Sequence, residues 1–512
     1  MGQDINKTSF TATDHSRFAR QLKTELDQLE AMLNTPGWGV GTCTLGAELE
    51  LYLTDRHHRP AHCNLALLDK VADSSLTAEI NQFNLEYNCP YTEFSGSPFS
   101  WLKEKMDTQL KSLEKHADDM AVQVTPIGIL PTLTKEDFGL GSMTDSPRYH
   151  ALTKVLSESR GGPFHIRIHG ADSLETDADD VTLEGANTSL QIHFRVKPDE
   201  FAQWYNGIQL ATIFTLAVGA NSPTFLGQRL WHETRIPLFK QSIDSRSLCG
   251  LNWHIPCRVS YGKGYVRKSA LELFRQGVSL QPVLLPEVFN SRKHPEGAPP
   301  LSALRLHQST IWSWNRAVYD DADNGHLRIE LRALPAGPTT LDMMANAALC
   351  IGLAKALQKD LDRLMDLLPF EFAEYDFYRA AQHGIDAKVL WECNDGKLKE
   401  FLLTDILAGL LPSVVDALVE LGIDSQEAQS LVSVIERRIA QRQSGASWQL
   451  ATLESWNGNT TAQRLSQRCL RCIKSNSRPE KRFRSGRFYD TNQTNSLFFL
   501  TGRNHPFQRC SF

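Results

Sequence analysis

The sequence predicts an α+β protein, and two observations carry that reading. Four segments alternate apolar with polar residues at the period of a β-strand, and between them run longer stretches with apolar residues at helical spacing. The first strand is Gly46-Ala47-Glu48-Leu49-Glu50-Leu51-Tyr52-Leu53. Leu45, Ala47, Leu49, Leu51 and Leu53 define one face, and Gly46, Glu48, Glu50 and Tyr52 the other.

Length and charge set the outer bounds. The chain has 512 residues, 41% hydrophobic and 22% charged, ample for a large core. A net charge of -5 gives no electrostatic pull toward nucleic acid or an anionic membrane, so neither partner is expected. No run reaches the roughly 20 apolar residues of a membrane span. The N-terminal stretch lacks the apolar core of a secretion signal, and a cytoplasmic location is the expectation. Ten scattered Cys do not form a disulfide framework.

Taken in order, Phe18, Leu22, Leu26, Leu29 and Leu33 predict a helix over 14–33, stopped by Pro36-Gly37. After the first strand, His57, His58, His62 and Cys63 crowd one loop. They lack a second ligand pair at zinc spacing, so a structural metal is not expected there. Glu79 precedes a second strand, Phe83 to Asn88, which places Asn84, Glu86 and Asn88 on its polar face and is ended by Cys89-Pro90. A helix over 100–120 and an apolar strand over 122–130 follow. Residues 132–186 read as long loops, with Arg160-Gly161-Gly162-Pro163 as a turn.

The third strand, 187–196, places Ser189, Gln191, His193 and Arg195 on one face. A helix over 198–218 breaks at Gly219-Ala220-Asn221-Ser222-Pro223, and Arg229, Arg235 and Arg246 follow as candidates for binding phosphate or carboxylate. No Walker loop occurs, and no GxGxxG follows a strand, so phosphates would have to be held by metals and arginines. The fourth strand carries His326, Arg328, Glu330 and Arg332 on its polar face. Thr339 or Thr340 caps a buried helix reaching about 367, and 397–443 is helical again. The lone Cys469-Leu470-Arg471-Cys472 is weak evidence for a metal. The tail from 476 to 512 is basic, polar and aperiodic, and is expected to be irregular or disordered.

A single Glu-x-Glu on a strand is ordinarily a solvated sheet face. Here four polar faces carry ionisable and amide groups with almost no Lys or Thr, a composition suited to a working surface. Glu48, Glu50, Glu86 and Glu330, with His193 and Gln191, offer mostly oxygen ligands, which select Mg²⁺ or Mn²⁺ over zinc. Arg328 and Arg332 would supply positive charge where a phosphoryl group is transferred.

Several motifs, in this order, resemble the glutamate-cysteine ligases and related carboxylate-amine ligases of the glutamine synthetase-like superfamily. They are Gly46-Ala47-Glu48-Leu49-Glu50, Asn84-Leu85-Glu86, Gln191-Ile192-His193, Ala220-Asn221-Ser222-Pro223 with Arg246, Thr310-Ile311-Trp312 and Arg328-Ile329-Glu330-Leu331-Arg332. The resemblance covers about residues 40–360 and implies an antiparallel sheet funnel with flanking helices. The chain is expected to divide into an N-terminal helical segment (1–40), a glutamine synthetase-like catalytic domain (41–395), a helical C-terminal segment (396–475) and the tail (476–512).

By position, the resemblance implies Glu48, Glu50, Glu86, His193, Glu330 and, more weakly, Glu79 as metal ligands. It makes Arg332 a phosphate contact and Arg246 a reader of substrate carboxylate or phosphate, with Arg235 a further candidate. Several relatives have His-x-His where this chain has Gln191-Ile192-His193, so Gln191 is read as a substrate contact. The implied reaction uses ATP and Mg²⁺ or Mn²⁺ to convert a carboxylate into an acyl phosphate, which an amine attacks. With glutamate and cysteine this would be a step of glutathione biosynthesis. Another amine, a phosphotransferase or an idle nucleotide-binding protein are the alternatives, and self-association is left open.

Overall fold

The four alternating segments become neighbours in one seven-stranded sheet. The computed structural model describes residues 5 and 7–455 except 248–253, 289–296 and 394–395, together with Gln467 and Leu470. The Cys469/Cys472 pair and the 476–512 tail lie outside the described residues.

The sheet contains β1 (Thr44–Asp55), β2 (Leu76–Ala78), β3 (Asn84–Glu93), β4 (Val122–Thr125), β7 (Leu190–Val196), β12 (Asn315–Asp320) and β13 (His326–Leu331). Four two-stranded sheets lie outside it. They comprise β5 (Phe164–His169) with β6 (Ser173–Ala178), β8 (Thr224–Phe225) with β9 (Gln228–Arg229), β10 (Val259–Ser260) with β11 (Trp312–Ser313), and β14 (Lys388–Glu392) with β15 (Leu398–Leu402). The large sheet runs β12-β13-β7-β1-β3-β2 and is antiparallel at every pairing. β4 extends the β7 side of β1, pairing Tyr52–Asp55 with Val122–Thr125.

The apolar face of this curled sheet is dry. Leu45, Leu49, Leu51, Ile192, Leu327 and Ile329 are fully buried, each contributing on the order of 2 kcal/mol through area removed from water. Helix α5 (Phe201–Gly219) and helix α9 (Thr340–Leu357) pack against each other and are buried nearly all round, as their apolar composition requires. Phe194 of β7 meets Trp204 of α5 with ring centroids 4.8 Å apart. The helical stretch over 340–367 is long and apolar enough to cross a membrane, but 83% of its most apolar window is buried inside the protein.

Helix α1 (Ala12–Leu33) begins at Thr11 and Asp14, whose side chains and backbone N–H groups form a reciprocal capping box. Helix α3 (Pro98–Asp118) packs on β3 and β4. Helices α12 (Leu403–Glu420) and α13 (Ser425–Gln441) cover α9. Thr339 caps α9, accepting a hydrogen bond from the Asp342 N–H.

Several boundaries differ from the sequence reading. β3 continues through Pro90 to Glu93 because the register with β1 slips between Leu45 and Ala47. This bulge leaves Pro90 and Tyr91 exposed, where a missing ladder N–H costs little. β4 stops at Thr125, the residue before Pro126. The stretch 132–186 contains helix α4 (Pro147–Arg160) and the β5–β6 hairpin as well as loops. A break follows α9 before helix α10 (Leu361–Leu367), and residues 398–402 are a strand ahead of α12.

Candidate active site

Register determines which polar side chains meet. Glu330 on β13 pairs with His193 on β7 and with Arg316 on β12, while His193 pairs with Gly46 on β1. One rung further, Gln191 faces Glu48, and Glu48 faces Asn88. On the next rung Glu50 faces Glu86, which in turn faces Thr77. Because side chains two residues apart share a face, these groups form one continuous polar surface.

That surface is covered. Glu48 is 9% exposed, Glu86 6%, Gln191 3% and Glu330 1%, which excludes a merely solvated sheet face. Two groups of possible ligand atoms result. Glu48, His193 and Glu330 each bring one within 4.8 Å of the others, and Glu50, Glu79 and Glu86 do the same.

The first group is balanced by cations. Arg316 grips Glu330 with both prongs, Nε donating to Oε2 at 2.5 Å and Nη2 to Oε1 at 3.0 Å. Arg332 Nη1 donates to Glu330 Oε1 at 3.0 Å and also to Gln191 Oε1. Burial alone would raise the Glu330 carboxyl, but Arg316, Arg332 and His193 bring it down to about 2. Burial is likewise outweighed at Glu48, where His193 and Arg332 hold the carboxyl well below the usual range.

The second group has no such balance. Burial, with Glu48 and Glu50 alongside, pushes Glu86 up to about 8. Burial and then Glu86, Glu50 and Glu184 raise Glu79 well above the ordinary value. Glu50 is raised by burial despite Arg332 and Arg235, and is tied down by the Ser189 N–H at 2.6 Å and by Gln191 Nε2 at 2.9 Å.

These donors suit a hard divalent cation. Five carboxylates and one imidazole are oxygen-rich, and the second group holds more negative charge than its surroundings offset. The ring nitrogens of His193 supply independent support. Both are buried, and neither makes an aligned hydrogen bond among the described residues, although Nε2 lies 3.1 Å from Glu48 Oε1 and 3.9 Å from Glu330 Oε1.

The sequence-derived residues divide accordingly. Glu48, Glu50, Glu79, Glu86, Gln191, His193, Glu330 and Arg332 converge on this surface. Arg328 shares the face, but its Nη2 turns to Asp320 Oδ2 at 3.1 Å. Arg246 is paired with Asp244 through Nε and Nη2, both at 2.8 Å. Arg235, expected to contact substrate, is only 2% exposed, and its Nη1 is committed to Glu233 at 3.3 Å and to the Ala333 carbonyl at 3.1 Å. Its Nη2 donates to the Arg332 carbonyl at 3.4 Å, so it braces the end of β13.

Two residues were not anticipated. Arg316 sits on a strand that the sequence reading passed over, although it lies directly opposite Glu330. Glu184, on a single 3-10 turn (Glu184–Ala186), is pushed up to about 8 by burial and by Glu50.

A comparison with curated proteins finds no match. Among solved structures, the chain is similar to a glutamate–cysteine ligase from Francisella tularensis in complex with AMP, with 14% identity, 85% of this chain and 89% of that one covered, and a TM-score of 0.49. It is also similar to a bifunctional glutathione synthetase from Pasteurella multocida, at 12% identity, 89% and 55% coverage and a TM-score of 0.46, so it spans about half of that protein. A third is the ligase PafA in complex with the prokaryotic ubiquitin-like protein Pup, at 11% identity, 83% and 72% coverage and a TM-score of 0.31. The model of glutamate-cysteine ligase family 2 matches residues 44–468. The chain belongs to this family, and is an ATP-dependent ligase that joins a carboxylate to an amine as an amide.

Proposed function

We propose that the protein is a glutamate–cysteine ligase, forming γ-glutamylcysteine through a glutamyl phosphate. A carboxylate is a poor electrophile at neutral pH, so the reaction needs two steps. First the γ-phosphorus–oxygen bond of ATP breaks as a bond from phosphorus to a glutamate side-chain oxygen forms, releasing ADP. The amine nitrogen then attacks the activated carbonyl carbon, phosphate departs, and the nitrogen gives up its proton.

The convergence of two carboxylate groups on either side of Gln191 and Arg332 carries this reading. Glu48, His193 and Glu330 would hold one Mg²⁺ or Mn²⁺, and Glu50, Glu79 and Glu86 another. Such ions would offset the charge of a triphosphate against that of the carboxylates. Arg332, fixed by Glu330 and Gln191, points a guanidinium at the same surface, where it stabilises charge on the equatorial oxygens of a transferring phosphoryl group. Arg316 holds Glu330 ionised and in place. Most of the catalysis is thereby positioning and electrostatics.

The test is ATP-dependent phosphate release, with Mg²⁺ and glutamate, across a panel of amino acids as the amine. Strong stimulation by cysteine supports the assignment. Stimulation by a different amine alone redirects it to another carboxylate-amine ligation, and ADP release indifferent to every amine points to a phosphotransferase.

A further inference from the structure

An amino acid brings its nitrogen to this surface as an ammonium, which has no lone pair, so a proton must leave before the nitrogen can attack an acyl phosphate. Resting on the ligase reading, the geometry points to Glu184 as the base that takes this proton, a catalytic residue that stands beside the metal-binding carboxylates without being one of them.

The turn that bears Glu184 is firmly placed. It is the 3-10 turn Glu184–Ala186, whose last carbonyl accepts the Tyr52 hydroxyl at 2.7 Å. Asn187 Nδ2 donates to the Glu184 carbonyl at 2.8 Å, and Asn81 Nδ2 to the Thr182 carbonyl at 2.9 Å. Gly185 lets the turn close down, since a Cβ there would collide with Ile80 and Asn81. Tyr52 lies on β1, and Ile80 and Asn81 follow Glu79, so the segments that carry Glu50 and Glu79 also fix Glu184.

The carboxyl itself is uncommitted. It is half-buried, lies within electrostatic reach of Glu50, Glu79, Arg332 and Tyr149, and makes no hydrogen bond or ion pair among the described residues. It belongs to neither of the two ligand groups. The other carboxylates of this surface are engaged. Glu330 is held by Arg316 and Arg332, Glu48 lies 3.1 Å from His193 Nε2, and Glu50 accepts the Ser189 N–H and Gln191 Nε2. Glu79 and Glu86 would face an ion, and the Tyr149 hydroxyl donates to the Ala78 carbonyl at 3.1 Å. Because Arg332 would steady the phosphoryl group, a free carboxylate in its field stands near the carbonyl that the amine must reach.

The ammonium gives one proton to a Glu184 oxygen, and the freed electron pair forms the nitrogen–carbon bond. The bond from that carbon to the phosphate oxygen breaks with its electrons on oxygen, and the second proton shed by nitrogen leaves on the phosphate. Glu184 is exposed enough to return its own proton to solvent.

The experiment compares wild type with Glu184→Gln and Glu184→Asp for two nucleophiles, at saturating ATP, Mg²⁺ and glutamate. One is the amino acid that best drives phosphate release. The other is hydroxylamine, which is already uncharged at neutral pH and needs no base. Glu184→Gln should lower kcat with the amino acid at least about 100-fold while hydroxamate formation stays within about threefold of wild type. Glu184→Asp sets the carboxylate back by one methylene and should split the same way, by at least about 10-fold against about threefold, which keeps the test open if Glu184→Gln does not fold. Equal loss of both activities makes Glu184 a metal ligand or a structural residue and overturns the assignment, as does retention of both. Wild type that yields no hydroxamate overturns the ligase reading and the base together, whereas wild-type hydroxamate formation with no split in the variants overturns the base alone.

Discussion

Glu50 and Glu86 face each other directly across β1 and β3, a half-buried and a buried carboxylate on adjacent antiparallel strands. Such a pair is unfavourable when both are charged, and a protein keeps it only where something else gains from the charge. Replacing Glu86 with Gln should therefore stabilise the metal-free fold, by on the order of 1 kcal/mol, while lowering turnover at least roughly 100-fold. Thermal unfolding in chelator and with Mg²⁺ checks the first part. The variant should melt higher than wild type in chelator and gain less from the ion.

Glu330 should respond in the opposite sense. Reading its strand as one repulsive acidic surface suggests that Glu330→Gln relieves strain, but Arg316 and Arg332 both bind this carboxylate. Removing its charge leaves two half-buried guanidiniums without their carboxylate, a loss on the order of 3 kcal/mol. Denaturant unfolding should show Glu330→Gln destabilised under the same metal-free conditions in which Glu86→Gln is stabilised. Equal shifts in the two variants would remove the distinction between a balanced and an unbalanced half of the site.

The contrast shows what a sequence pattern conveys and what it leaves out. β1, β3, β7 and β13 were legible because each alternates over several residues, with apolar side chains on one face and ionisable or amide groups on the other. β12 was not, because Asn315 occupies a core-facing position where an apolar residue would have marked the strand, and Arg316 alternates with only Ala317 and Tyr319. The alternation of Phe164, Ile166 and Ile168 was present but surrounded by Gly, Ser and Asp. Pairing lay beyond reach altogether. Which carboxylate receives an arginine depends on register between strands far apart in the chain, and only the folded sheet places Arg316 opposite Glu330. The same holds for Arg235, whose type suggests a ligand contact and whose burial makes it a brace.

Asp376 on helix α11 (Phe370–His383) gives a pH dependence separate from the candidate site. It is 1% exposed, accepts the Leu390 N–H on both oxygens, and burial raises it from 3.8 to about 7. A folded-state value above the unfolded one means that the folded protein binds the proton more tightly. The stability from this group is thus complete below about pH 3.8 and lost as pH rises through about 7. Asp376→Asn keeps an acceptor for Leu390 and removes the titration. Chemical unfolding from pH 5 to 8 should show wild type losing up to roughly 2–4 kcal/mol relative to the variant. Parallel stability curves would mean that Asp376 titrates normally.

Arg332 offers the sharpest test of the phosphoryl-transfer role, because its replacement can preserve charge while removing shape. Its Nη1 bonds Glu330 and Gln191 together, so one planar group links the arginine-balanced carboxylates to the amide that also holds Glu50. Lysine keeps the positive charge but lacks the rigid fork, and its single ammonium cannot hold both partners and still face a phosphoryl oxygen in a fixed direction. A contact strengthened in the transition state shows in kcat, whereas a general attraction for nucleotide shows in KM. Arg332→Lys should therefore lower kcat roughly 100-fold and change the KM for ATP by less than about threefold. Steady-state kinetics with saturating glutamate and amine measure both. A variant with near-normal kcat and a weakened KM would make Arg332 an electrostatic attractor for the triphosphate, and phosphoryl transfer would then have to be stabilised by other groups on the same surface.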